Sequence, residues 1–240
     1  MSMKTITLYK YMTADHAKTS ITKKRVKLSL LHDLNDPYEM VPCLVDALGA
    51  PLYAAEKVRS AVYDSIKNKH AIICMSTAID QPLLWSHYAD KHRGIVMAFN
   101  FPQNNSLIEV TYGLDRVIIK SGIDSEPGPV LSDKLQQLLA HKYEDWAYEK
   151  EYRFIVSVSP ASMDDGHYWK ELTTEYFSGV ILGCLCADQE DDIQSLLATN
   201  GFPNALVSRV RMDDKQFKMR LPQGSGEYTP PSPAHRELRR

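Results

Sequence analysis

The chain has 240 residues, with 28 Lys and Arg against 30 Asp and Glu for a net charge of −2. With 44% hydrophobic and 24% charged residues it has the composition of an ordinary globular protein, and the near-neutral balance argues against a histone-like or polybasic membrane binder. No uncharged apolar run approaches the roughly 18 residues a spanning helix needs. The first eleven residues carry no apolar targeting core and no cleavage site, so a cytoplasmic location is expected. Residues 1–221 are expected to form one domain and residues 222–240, rich in proline and glycine, a flexible tail. Cys43, Cys74, Cys184 and Cys186 are too few for a disulfide framework and stand at no zinc-ligand spacing, so buried reduced thiols and no structural metal are expected.

In chain order, residues 5–11 read as a strand of β-branched and aromatic residues, and 14–20 as a short helix. A strand over 26–31 ends at the turn Asn35-Asp36-Pro37. Residues 52–69 carry one apolar helical stripe. A buried strand over 71–76 is followed by a helix capped by Asp80, begun by Pro82 and ended by Gly94. Strands follow near 94–100, 107–112 and 115–119. Residues 121–130 are a loop, and Ser132 caps a helix with Leu135, Leu138, Leu139 and Trp146 inward. Strands over 152–158 and 179–183 come next, then a helix from an Asp188 cap through Thr199, stopped by Asn200-Gly201. A hairpin around Asp213-Asp214 joins 206–211 to 216–221. The sum is an α+β fold of many short strands with four or five helices.

Several clusters carry side chains suited to chemistry, each with a structural alternative. In Tyr9-Lys10-Tyr11 a lysine between aromatic rings suits a phosphate, though alternation on a half-buried strand gives the same triplet. Asp36 and Glu39 flank a turn that forms for local reasons, and two carboxylates are a weak metal signal. Ser76 and Thr77 end a buried strand where hydroxyls hold either a ligand or loose backbone groups. Trp85, Tyr88 and His92 share one face if the helix runs through them, as core or as ligand wall. In Glu149-Lys150-Glu151-Tyr152-Arg153 the two glutamates and the arginine point the same way if the segment is extended; a solvated edge of alternating charge is the other reading. The basic stretch from Lys18 to Lys27 suits nucleic-acid phosphates or a solvated face.

Taken together, Leu8-Tyr9-Lys10-Tyr11, Asn35-Asp36-Pro37-Tyr38-Glu39, Cys74-Met75-Ser76, Leu84-Trp85-Ser86-His87-Tyr88-Ala89 with His92 and Gly94, and Trp146-Ala147-Tyr148-Glu149-Lys150-Glu151-Tyr152-Arg153 resemble a bacterial family known as a domain of unknown function. The order of parts is also similar to that of the ADP-ribosyltransferases. That second resemblance implies a basic residue on the first strand that holds NAD, a serine near the nicotinamide ribose, and a late glutamate on the ribose 2′-hydroxyl. Those roles fall on Lys10 (with Tyr9 and Tyr11 beside it), on Ser76 with Thr77, and on Glu149 or Glu151. Tyr88 is the candidate ring against the nicotinamide. Lys10 replaces the usual arginine or histidine.

The resemblance implies an ADP-ribosyltransferase of the bacterial effector, toxin or phage-defence kind that uses NAD as substrate and no metal. Its acceptor is expected to be RNA, DNA or protein, and a neutralising antitoxin-like partner follows from a toxin role. Two other classes stay open: a divalent-metal phosphodiesterase using Asp36, Glu149, Lys150 and Glu151, and a non-enzymatic module that docks a partner on an aromatic face at Trp85 and Tyr88.

Overall fold

A computed structural model describes residues 4–30, 33–52, 69–103, 107–120 and 129–222. The expected helix over 52–69 (but for its two end residues), most of the 121–130 loop, the tail after residue 222 and the side chains of Ser132 and Leu135 lie outside the described residues. The strands are β1 (Thr5–Met12), β2 (Arg25–Lys27), β3 (Cys43–Val45), β4 (His70–Ser76), β5 (Ile95–Pro102), β6 (Ile108–Glu109), β7 (Thr111–Gly113), β8 (Ile118–Lys120), β9 (His141–Tyr143), β10 (Glu151–Ser157), β11 (Trp169–Glu171), β12 (Phe177–Leu182), β13 (Leu206–Arg209), β14 (Arg211–Met212) and β15 (Met219–Arg220). The helices are α1 (Ala14–Thr22), α2 (Pro82–Tyr88), α3 (Pro129–Leu139) and α4 (Glu190–Thr199). The fold is α+β, with two compact units: residues 1–24, 79–103 and 172–240 in the first, and 25–78 and 104–171 in the second.

The first unit is built on strands in the order β13-β12-β5-β1. β1 and β5 pair antiparallel along their whole length, from Thr5 opposite Pro102 to Met12 opposite Ile95. β12 and β13 are parallel and therefore need a crossover, which α4 supplies. Tyr9, Trp85, Val96, Ile181 and Val210 belong to one buried apolar cluster. The second unit centres on β10, antiparallel to β4 on one side and to β6 on the other. Smaller pairs, β2 with β11, β3 with β8 and β7 with β9, complete it.

Four elements have boundaries other than those expected, for identifiable reasons. α2 takes Gln81 as its cap, whose side chain accepts from Leu83 N–H, while the Asp80 carbonyl accepts from Met219 N–H at 2.8 Å. The helix stops at Tyr88, because Asp90, Lys91 and His92 all have positive φ, of 44°, 52° and 68°. His92 is therefore off the helix, and the shared face with Trp85 and Tyr88 does not form. α3 opens at Pro129, whose missing N–H suits a first turn, and ends at Leu139; Trp146 belongs instead to a 3-10 turn, Glu144–Glu149. α4 begins after Gln189, since Asp188 is committed to Lys18 through its carboxylate and to Arg209 through its carbonyl. At the closing hairpin only Arg211–Met212 pairs with Met219–Arg220, because Leu206–Arg209 joins the sheet and Val210 N–H turns to the Leu182 carbonyl. Of the four free thiols only Cys186 is buried; Cys43, Cys74 and Cys184 are half-buried.

Candidate functional site

Within the second unit five charged side chains converge, and all are buried: Glu39, Lys142, Glu149, Glu151 and Arg153. β10 starts at Glu151, so period-two alternation turns Glu151 and Arg153 to the same buried face. Glu149 reaches that place by another route. It ends the 3-10 turn, and Lys150 follows with φ of 44°, a left-handed residue that redirects the chain into the strand.

Arg153 grips Glu151 through both carboxylate oxygens, Nε to Oε1 at 2.8 Å and Nη2 to Oε2 at 2.9 Å. Its Nη2 also donates to Glu39 Oε2 at 2.5 Å and its Nη1 to the Leu139 carbonyl at 3.0 Å. Lys142 Nζ stands 2.7 Å from Glu149 Oε2, 3.0 Å from Glu39 Oε1 and 3.5 Å from Glu151 Oε2. The ammonium also lies 4.8 Å from the centre of the Trp146 ring, within cation–π range. Three carboxylates thus meet two cations.

The electrostatics follow from this geometry. Burial by itself would push the Glu151 carboxyl up, but Arg153, and then Lys142, outweigh it and hold the group below its ordinary value. Burial would likewise lower Lys142, and the charges of Glu151, Glu39 and Glu149 reverse that and raise it. Tyr112 is pushed up to about 12, chiefly by burial, with the Glu151 and Glu149 charges adding to it. Its phenol oxygen accepts the Glu151 N–H at 2.9 Å.

The eight residues assigned from sequence divide between the units. Tyr9, Lys10, Tyr11 and Tyr88 are in the first. There Tyr9 is buried in the core, Tyr11 packs edge-on against Trp85 with centroids 5.2 Å apart, and Lys10 and Tyr88 are half-buried. Ser76, Thr77, Glu149 and Glu151 are in the second, and there they come together. In the β4–β10 register Ser76 stands opposite Glu151. Ser76 Oγ donates to the Glu149 carbonyl and accepts from Ala78 N–H, while Thr77 N–H donates to the Lys150 carbonyl at 3.2 Å. Trp85 is fully buried, with its indole N–H on the Ile79 carbonyl, so it offers no docking face. The basic stretch is partly spent internally: Lys18 pairs with Asp188, and Arg25 pairs with Asp164 and stacks on Trp169.

Comparison with protein-family models, curated proteins and solved structures gives no match.

Sequence reasoning missed Lys142 and Tyr112. A lone lysine in His141-Lys142-Tyr143 carries no motif; its one signal is the alternation of a short strand that turns the middle residue inward. Glu39, which the sequence sets beside Asp36 as a weak metal pair, is held by Arg153, 114 positions away. Among the described residues no group of three or more His, Cys, Asp or Glu is placed to hold a metal ion.

Proposed function

We propose that the chain is an NAD-dependent ADP-ribosyltransferase that cleaves the nicotinamide–ribose bond and passes ADP-ribose to a macromolecular acceptor, nucleic acid or protein. One observation carries the reading. Ser76, at the end of β4, stands opposite Glu151, which opens β10 75 positions later, and its Oγ donates to the backbone carbonyl of Glu149 in the 3-10 turn just before that strand. A serine beside the ribose and a glutamate on its 2′-hydroxyl need such a juxtaposition.

The cluster's charge supports the same reading. As the glycosidic bond breaks, its electron pair leaves with nicotinamide and positive charge builds on the ribose. Three fixed carboxylates against two cations leave negative charge next to that centre, in a site closed to water. A contact worth on the order of 3 kcal/mol in the transition state gives roughly a hundredfold in rate. For the second glutamate to take the acceptor's proton it must first give up its cation, since Glu149 is paired with Lys142 and Glu151 with Arg153. Since Glu149 and Glu151 are 4% and 5% exposed, the reading requires that NAD reach them by opening their cover.

The double grip of Arg153 on Glu151 favours a second reading, in which the cluster is a structural clamp within a non-enzymatic docking module. Labelled NAD incubated with the purified protein and a cell lysate separates the two. Label is followed into protein, RNA, DNA and free ADP-ribose, for the wild type and for Glu149→Gln, Glu151→Gln and Ser76→Ala, each first shown to be folded by circular dichroism. The transferase reading expects transfer by the wild type and a loss of roughly a hundredfold or more in at least one glutamate variant. Wild-type protein that neither releases nicotinamide nor binds NAD would overturn it.

A further inference from the structure

A cavity of about 320 Å³ opens in the second unit between the Asn35–Glu39 turn, the 113–117 loop and β9. It lies at the small end of the range for ligand sites, about 300–1,000 Å³. Met40, Val41 and Leu138 supply apolar wall, and Tyr38, His141 and Tyr143 supply rings. Asp36, Glu39 and Lys142 also line it, and all three are buried. Arg116 and Asp115, both exposed, balance one another.

The inner charges do not balance. Asp36 is 7% exposed, and its Oδ1 accepts only the Tyr38 N–H of its own turn, at 2.8 Å. It pairs with no cation among the described residues. Glu39 Oε2 is held by Arg153, but its buried Oε1 makes no hydrogen bond; it stands 3.0 Å from Lys142 Nζ out of line for one. Lys142 is shared with Glu149 and Glu151, so its single charge is spent before it compensates Asp36. A mostly buried carboxylate with no counter-ion at a cavity wall gains more from a cation there than a carboxylate in water does.

We propose that this cavity binds a small organic cation, an amine or guanidinium on a short apolar stem. The charged head meets Asp36 and Glu39, and the stem lies against Met40 and Leu138 between the tyrosine rings. Aromatic faces and buried carboxylates together favour a cation over a neutral isostere. Such a head belongs either to a free small molecule or to a lysine or arginine side chain of a polypeptide.

The test is calorimetric titration of the purified full chain, without NAD, so that a failure here and a failure of the transferase reading are distinguishable. n-Butylguanidinium is compared with n-butylurea, which has the same shape and no charge, and with n-butyl phosphate. The guanidinium is expected to bind roughly tenfold or more tighter than the urea, and Asp36→Asn is expected to remove that preference. Asparagine retains an acceptor for the Tyr38 N–H, so the turn survives the substitution. A capped Gly-Arg-Gly peptide identifies the source: tighter binding than the free guanidinium indicates a polypeptide side chain, and weaker binding a free molecule. Equal binding of the urea, tighter binding of the phosphate, or an unchanged preference in Asp36→Asn would overturn the proposal.

Discussion

Removing Arg153 would leave Glu39 and Glu151 buried opposite a single ammonium that already serves Glu149. Breaking a buried pair from one side costs about 3–5 kcal/mol, because the remaining charge keeps its desolvation penalty and loses its partner. Arg153→Met is therefore expected to lower the urea-unfolding free energy by about that much. Arg153→Lys should recover little, since one ammonium cannot make the paired contacts to Glu151 while reaching Glu39 and the Leu139 carbonyl. Equal stability of Arg153→Met and the wild type in urea would show that the network is not closed as described. Part of this site was legible in the sequence. Glu149, Glu151 and Arg153 announce themselves by spacing, but the spacing misleads about the route. Glu149 converges from a 3-10 turn through a left-handed Lys150 and not along an extended strand. Lys142 and Glu39 were not legible as partners, because nothing local relates positions whose only link is folding.

At the scale of elements, the turn that follows α2 depends on close backbone approach. Asp90, Lys91 and His92 stay left-handed at a cost of order 1–3 kcal/mol each, which surrounding bonds must offset. His92 N–H bonds the Trp85 carbonyl at 3.1 Å, and the His92 carbonyl accepts from Leu185 N–H at 3.1 Å. Gly183 N–H bonds the Gly94 carbonyl at 2.9 Å. A Cβ on Gly183 would be driven into the His92 carbonyl, and one on Gly94 into the Met12 carbonyl. Gly183→Ala is expected to cost about 1–3 kcal/mol or more in thermal or urea unfolding, although it adds one methyl group. A Gly183→Ala protein with wild-type stability would mean that these segments do not meet. Sequence reading finds the helix and its proline start but places its end at Gly94, whereas the helix ends at Tyr88. It missed the early stop because a three-residue left-handed run is sustained by distant backbone partners.

At the scale of the whole molecule, the shifted groups set the limits of stability with pH. Glu151 has its folded value lowered, so its contribution is present above the unfolded value of about 4.3 and is lost as pH falls through the folded value. Lys142 and Tyr112 have theirs raised. Their contributions are full below unfolded values of about 10.4 and 10, and are lost as pH rises through the folded ones. The unfolding free energy should therefore be flattest between about pH 5 and 9 with respect to these groups. Glu151→Gln should flatten the acid limb and Lys142→Met the alkaline limb. Unfolding midpoints measured across pH check this, and unchanged limbs in both variants would contradict the assignment.

The amino-acid sequence by itself determined what depends on neighbours a few positions apart: the α+β class, most strand centres, the proline start of α2, and a candidate Glu-x-Glu-x-Arg segment. Period-two and period-3.6 burial and turn chemistry are local properties, readable without a fold. Only the tertiary structure decided which charges meet. The β4–β10 register sets Ser76 against Glu151, and the Asn35–Glu39 turn sends Glu39 to Arg153 and leaves Asp36 at a cavity wall without a cation among the described residues. Such pairings are set by long-range strand register and shared burial, and the free energy that selects them belongs to the assembled unit.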